Sequence, residues 1–202
     1  MIKRLPSGCR VSGFTLVEVL VTAVIIAFGL LSLAGLQAKM VAMQMEAYQR
    51  AHALVLAEDM VARINSQRIA AMAGAYAATG VTRTVGTGDT FDPAADCKDQ
   101  PSVPEQDLCE WSFALKGAAV TESAEEGDER FLGAMLGARG CVQNITRLNK
   151  PTTFRVSVAW QGLGETVAPS NELTCGKGKY DINGADVRRR VLALQTTLAD
   201  LN

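Results

Sequence analysis

The side chains with which this chain could do chemistry are few: one histidine, five cysteines, and a carboxylate, Glu18, set inside an otherwise apolar run. His52 falls in a helical pattern, and a lone imidazole supplies neither a Ser-His-Asp or Cys-His arrangement nor a histidine-based metal site. It is expected to be an exposed or packed helix residue. Asp181-Ile182-Asn183-Gly184 shares a fragment with calcium loops but lacks their full alternation of carboxylates. Asn144-Ile145-Thr146 matches a glycosylation triplet, yet it lies in a predicted strand. Arg188, Arg189 and Arg190 are expected along a solvated strand edge, and residues 122–129 in a solvated acidic loop. No catalytic residue, metal or other cofactor is expected. With acidic and basic residues at 21 and 20, no broad field points toward nucleic acid.

Glu18 differs because its surroundings set its chemistry. Residues 14–38 read FTLVEVLVTAVIIAFGLLSLAGLQA, with Glu18 as the single ionisable side chain. As a helix this stretch is roughly 35 Å long, enough to cross a hydrocarbon core of about 30 Å. A carboxylate one turn into such a span costs on the order of 2.5 to 3.5 kcal/mol, so it needs a partner charge. Lys3, Arg4 and Arg10 precede the run, which favours a cytoplasmic N-terminus and a body on the far side of the membrane, the periplasm in a bacterium. A secretory signal would have a shorter apolar run and a small-residue cleavage site. An ordinary signal anchor accounts for the length and the basic residues, but not for Glu18.

The segment Ser12-Gly13-Phe14-Thr15-Leu16-Val17-Glu18 resembles the signature of class III prepilins, the type IV pilin-like family. The resemblance implies a leader, residues 1–13, cut between Gly13 and Phe14 by a prepilin peptidase that also methylates the new amine of Phe14. It further implies that Glu18 guides assembly by meeting the methylated amine of a neighbouring subunit, with modest help from its own helix dipole. Glycine suits the cut because no side chain obstructs approach to the backbone. A protein of this kind passes once through the bacterial inner membrane and then joins a filament. It is not an enzyme.

These residues need a long helix to carry them. Beyond residue 38 the pattern turns amphipathic, with Met40, Ala47, Ala51, Leu54, Val61 and Ile64 recurring every three or four positions. Helix is expected to about Met72, with Gly74 as its C-terminal cap. The expected organisation is therefore a leader at 1–13, a long helix at 14–73 that spans the membrane over 14–38, and a periplasmic head at 74–202. Gly29 and Gly35 are places for local bending, and Gly35 stands where major pilins commonly carry a proline.

The head reads as an antiparallel sheet of about four strands laid against the helix, an α+β arrangement. Phe154–Trp160 alternates cleanly, and Trp111, Phe113 and Leu115 suggest a second strand. Residues 141–148 and 189–198 supply two more. Residues 86–108 and 162–186, rich in Gly, Pro, Asp and Asn, are expected as loops. Cys97, Cys109, Cys141 and Cys175 form an even set in the exported body, apart from Cys9. Of the three possible pairings, the nearest-neighbour one joins Cys97 to Cys109 and Cys141 to Cys175, each closing one irregular segment.

Within the family, the head is similar to the PilV minor pilins through Arg139-Gly140-Cys141, the run Phe154–Gly162 and Cys175. The resemblance implies a subunit that joins other minor pilins in priming pilus assembly at or near the tip, supporting adhesion and twitching motility. Its partners would be those minor pilins, the major pilin, a tip adhesin, the prepilin peptidase and the inner-membrane assembly platform. A minor pseudopilin of type II secretion shares the same N-terminal features. A membrane-anchored periplasmic enzyme would need a polar cluster that the head does not offer.

Overall fold

The computed structural model describes residues 13–91, 97–117, 121–123, 129–131, 135–181 and 184–199. The leader up to residue 12, with Lys3, Arg4, Cys9 and Arg10, lies outside them, as do Ile182 and Asn183 of the calcium-like fragment. The chain divides into two compact units, residues 1–44 and 45–202. Helix α1, Leu16–Ser66, contributes to both. No proline occurs between Pro6 and Pro93, so nothing in this stretch removes a backbone donor or forces a kink.

In the first unit α1 is apolar on every side, and its side chains are exposed throughout. In the second unit one face of α1 is buried through Gln49, Ala53, Leu56, Ala57, Met60 and Ile64. This corrects the stripe expected from periodicity, because Ala47, Ala51 and Leu54 are exposed. Apolar residues occur all round this part of the helix, so its own spacing does not select a face. The sheet and a second helix packed against it make that selection.

Helix α1 ends at Ser66, whose hydroxyl turns back to the Arg63 carbonyl at 2.8 Å. A break at Gln67 separates it from the short helix α2, Arg68–Met72, so the expected single helix is two. Gly74, with φ +86°, closes α2: its N–H donates to the Ala71 carbonyl at 2.9 Å and that of Ala75 to the Ala70 carbonyl at 3.0 Å. Those two bonds form a Schellman motif, which needs a left-handed residue at the glycine.

Strand β1 is Thr82–Gly86. After a 3-10 turn at Cys97–Asp99 comes helix α3, Val103–Lys116, so residues 86–108 are not wholly loop. The predicted strand at Trp111, Phe113 and Leu115 is therefore corrected to helix. Its signals are local: Ser102 Oγ accepts the Glu105 N–H at 3.4 Å, Pro104 sits in the first turn, and Gly117 ends it at φ +87°. Buried Leu108, Cys109, Trp111, Ser112 and Leu115 follow helical spacing. The alternation of three hydrophobic residues is too short to outweigh those caps.

Strands β2, Thr121–Ser123, and β3, Glu129–Phe131, pair antiparallel, so the acidic loop expected at 122–129 is strand at both its ends, while 124–128 lie outside the described residues. The main sheet takes β4, Arg139–Asn144; β5, Thr153–Gln161; and β6, Arg189–Thr197. Its order is β1-β4-β5-β6, antiparallel throughout, with Val142 opposite Val156 and Val158 opposite Leu192. β1 was not anticipated, since TRTVG shows little apolar alternation. Residues 162–181 and 184–188 carry neither helix nor strand.

The core lies among the buried face of α1, α3 and the sheet, with Met60, Ile64, Trp111, Phe154 and Val156 fully buried. Trp111 Nε1 donates to the Leu56 carbonyl at 2.8 Å, a buried tie between α3 and α1. Gly140 on β4 lets that indole approach, because a Cβ there would meet two Trp111 ring carbons at 2.4 Å. The architecture is α+β and pilin-like: a long N-terminal helix and a four-stranded antiparallel sheet, braced by two disulfides.

Candidate functional site

At the N-terminal junction Gly13, Phe14 and Thr15 precede the helix, and a Cβ built on Gly13 would meet nothing within 4 Å. Phe14 is 83% exposed. Helix begins at Leu16 because Thr15 Oγ1 accepts the Glu18 N–H, at 3.3 Å. Thr15-Leu16-Val17-Glu18 is thus the Thr-x-x-Glu pattern of a capping box, a local signal that marks the start of the helix. It places Glu18 in the first turn, where the helix dipole favours a negative charge.

Among the described residues no cation pairs with Glu18. The helix that follows is long and apolar enough to cross a membrane, and none of its most apolar window is buried within the chain. Thr22, the next polar side chain, satisfies its hydroxyl on the Val19 carbonyl at 2.9 Å. The junction therefore presents an accessible glycine, an exposed aromatic and an unpaired carboxylate on one apolar rod.

Residues 9–34 match the family model described as the prokaryotic N-terminal methylation motif. No curated protein and no solved structure matches the chain. The motif supports a class III prepilin-type protein, pilin-like or pseudopilin-like, and proteins defined by it are structural rather than catalytic. It implies processing by a prepilin peptidase and assembly into a pilus-like complex. Together with the apolar helix it fits a membrane-anchored pilin.

Several charges of the head are held in structural ties. Arg63 of α1 reaches Asp59 at 3.0 Å, and Asp107 and Glu110 of α3 at 3.0 and 2.6 Å. Burial works against the Arg63 charge, but Glu110, Asp59 and Asp107 outweigh it and raise the pKa. Tyr76 donates its hydroxyl to Asp107, and burial first, then that bond and the Asp107 charge, push the phenol above its ordinary value. Arg83 joins β1 to α3 through both oxygens of Glu105, at 2.8 and 2.5 Å.

The arginine run near β6 is corrected in part. Arg188 is half exposed and pairs with Glu165 at 3.5 Å, whereas Arg189 is 2% exposed. Arg189 donates to the carbonyls of Leu173 and Cys175 at 2.6 and 3.0 Å and lies 3.2 Å from Asp186, so it pins the 162–188 segment onto the sheet. Arg190 bonds Glu46 of α1 at 3.1 Å and the Gly164 carbonyl at 2.9 Å. Charge composition alone gives no sign that these cations face inward.

Cys97 is bonded to Cys109, and Cys141 to Cys175. Their sequence separations of 12 and 34 correspond to about 3 and 4 kcal/mol of loop-closure stabilisation. His52 lies on α1, half-buried, with its ring stacked on Tyr48 at 6.3 Å. Asn144 of the glycosylation triplet is 3% exposed, and its side chain bonds the Ala77 carbonyl and Thr146. No group of three or more His, Cys, Asp or Glu among the described residues is placed to hold a metal.

Proposed function

We propose that this protein is a minor pilin of a type IV pilus, similar to the PilV group, and that it helps to prime assembly in a complex at the inner membrane that becomes the filament tip. The observation that carries this reading is Glu18: among the described residues it has no counter-charge, and it sits in an apolar helix whose start lies in the methylation motif matched over residues 9–34. Cleavage after Gly13 and N-methylation of Phe14 would create a cation at the end of each subunit. Docking one helix beside another would then pair that amine with Glu18 and remove the cost of a bare carboxylate in an apolar setting.

In this reading the N-terminus faces the cytoplasm, the head folds in the periplasm where disulfides form, and the subunit later reaches the cell surface. Other minor pilins, the major pilin, a tip adhesin and the assembly platform are its partners, with adhesion and twitching motility as the output. Gly35, in place of a helix proline, suits a minor subunit at least as well as a major one.

The test is expression with and without the prepilin peptidase, mass analysis of the N-terminus, and counts of surface pili. Cleaved, N-methylated Phe14 and a loss of most pili in Glu18→Ala are expected. Full piliation by a Gly13→Ala chain that keeps its leader would overturn the proposal. Loss of protein secretion with normal piliation in a deletion strain would assign the subunit to type II secretion instead.

A further inference from the structure

Away from the junction, cations with no carboxylate partner among the described residues and threonine hydroxyls converge at one place in the head. A cleft of about 490 Å³ opens between the end of β1, the start of β4 and the turn at 174–179. Arg139, Lys177 and Lys179 line it, together with Thr84, Thr87 and Thr174. Its volume is within the range of small-ligand sites, roughly 300 to 1,000 Å³.

Among the described residues that line it, the cleft is positive because the one carboxylate is already engaged. Asp89 accepts from Lys116 Nζ and Ser112 Oγ, each at 2.6 Å, and from the Gly86 N–H at 2.8 Å, and its side chain is 9% exposed. Lys179 has no acceptor for its ammonium among the described residues, and Lys177 reaches only Asn171 Oδ1, at 3.2 Å. The Arg139 guanidinium lies 5.3 Å from the Tyr180 ring centroid, and its Nη1 donates to the Gly137 carbonyl at 3.2 Å. Those contacts hold the planar fork in place before any ligand arrives, which lowers the ordering cost of binding.

The lysines are also carried on restrained backbone. The Cys141–Cys175 disulfide fastens the turn beside β4, and Asp186 Oδ1 accepts the Gly178 N–H at 2.7 Å. Tyr180 Oη shares its single proton between the Gly137 and Ala159 carbonyls, at 2.9 and 3.0 Å, which anchors the far end of the turn. Gly176, at φ +64°, passes so close to Tyr180 that a Cβ would meet its ring at 2.7 Å.

Cations beside hydroxyls, with no aromatic among the described residues that line the cleft, match a particular chemistry. Nucleic acid would call for a stacking face and a longer cationic track along its backbone. We infer that this cleft binds an acidic saccharide, with its carboxylate or sulfate on Arg139, Lys177 and Lys179 and its ring hydroxyls on the threonines. The inference stands apart from the assembly role of Glu18, because binding is measured on the unassembled chain.

The experiment is calorimetric titration of the full-length chain in nonionic detergent with trigalacturonate and, separately, a heparin-derived tetrasaccharide. Maltotriose and a short DNA duplex serve as comparisons. At least one acidic sugar is expected to bind with an affinity that falls as salt rises, with the two arms separating carboxylate from sulfate recognition. Lys177→Ala/Lys179→Ala is expected to weaken that binding about tenfold or more, since each lost charge-assisted bond is worth roughly that factor. Both lysines are exposed, so the variant should melt like wild type. Failure of both acidic sugars to bind, equal binding of maltotriose, unchanged affinity in the double variant, or tighter binding of the duplex would each overturn the inference.

Discussion

At the scale of single residues, Asp89 gives the head a distinct acid response. Burial alone would raise its pKa, but the bonds from Lys116, Ser112 and the Gly86 N–H, with the Lys116 charge, outweigh burial and hold it below 3.8. A carboxyl depressed in the fold contributes stability that is complete above its unfolded pKa and is lost as pH falls through the folded one. The loss attributable to Asp89 is therefore confined to pH below about 4. Asp89→Asn should destabilise the head by about 1 to 3 kcal/mol at pH 6, by leaving Lys116 with the Phe91 carbonyl but no counter-ion, and should flatten the decline in stability below pH 4. Urea denaturation across that range checks it; an unchanged acid slope would remove Asp89 as the cause. Glu18 belongs to this scale as well, because its meaning comes from one charge that lacks a partner among the described residues.

At the scale of elements, the decisive contact is α3 against β4. Gly140 faces Trp111 and Leu115, and an added Cβ would stand 2.4 Å from the indole and 2.6 Å from Leu115 Cδ1. Gly140→Ala should cost about 1 to 3 kcal/mol, as overpacked core positions do, and should shift the Trp111 emission as the ring moves off the Leu56 carbonyl. Thermal melts with fluorescence detection test this, and a neutral effect on both would mean that α3 yields without strain. The same contact explains why α3 escapes a simple alternation pattern. Its helix is marked by Ser102, Pro104 and Gly117 at its ends, while Trp111 and Leu115 belong to one buried face.

At the scale of the whole molecule, the chain divides at residue 44, and every residue of the main core lies beyond that point. A fragment of residues 45–202 is accordingly expected to fold, form both disulfides and remain in solution without detergent, whereas the intact chain needs detergent or lipid for the exposed apolar part of α1. Circular dichroism and thiol titration of that fragment provide the check. A fragment that aggregates, or that shows free thiols where Cys97, Cys109, Cys141 and Cys175 should be bonded, would mean that residues 14–44 support the head.

The sequence by itself determined what depends on neighbours along the chain. A continuous apolar run, a glycine and phenylalanine at its head and a glutamate one turn in define the junction; alternation in 154–160 marks the inner strand β5, and 189–198 reads as a further strand, which is the edge strand β6. The even set of four head cysteines is legible as well, but of its three possible pairings the fold selects the nearest-neighbour one. Tertiary structure alone decided which face of α1 is buried, that TRTVG at 82–86 joins the sheet beside β4, and that Arg189 turns inward while Arg188 does not. It also brought Arg139, Lys177 and Lys179 to one cleft from positions nearly forty residues apart. Periodicity reports how a segment divides its apolar and polar sides, but a strand edge, a buried cation or a cleft exists only once distant segments pair and exclude water.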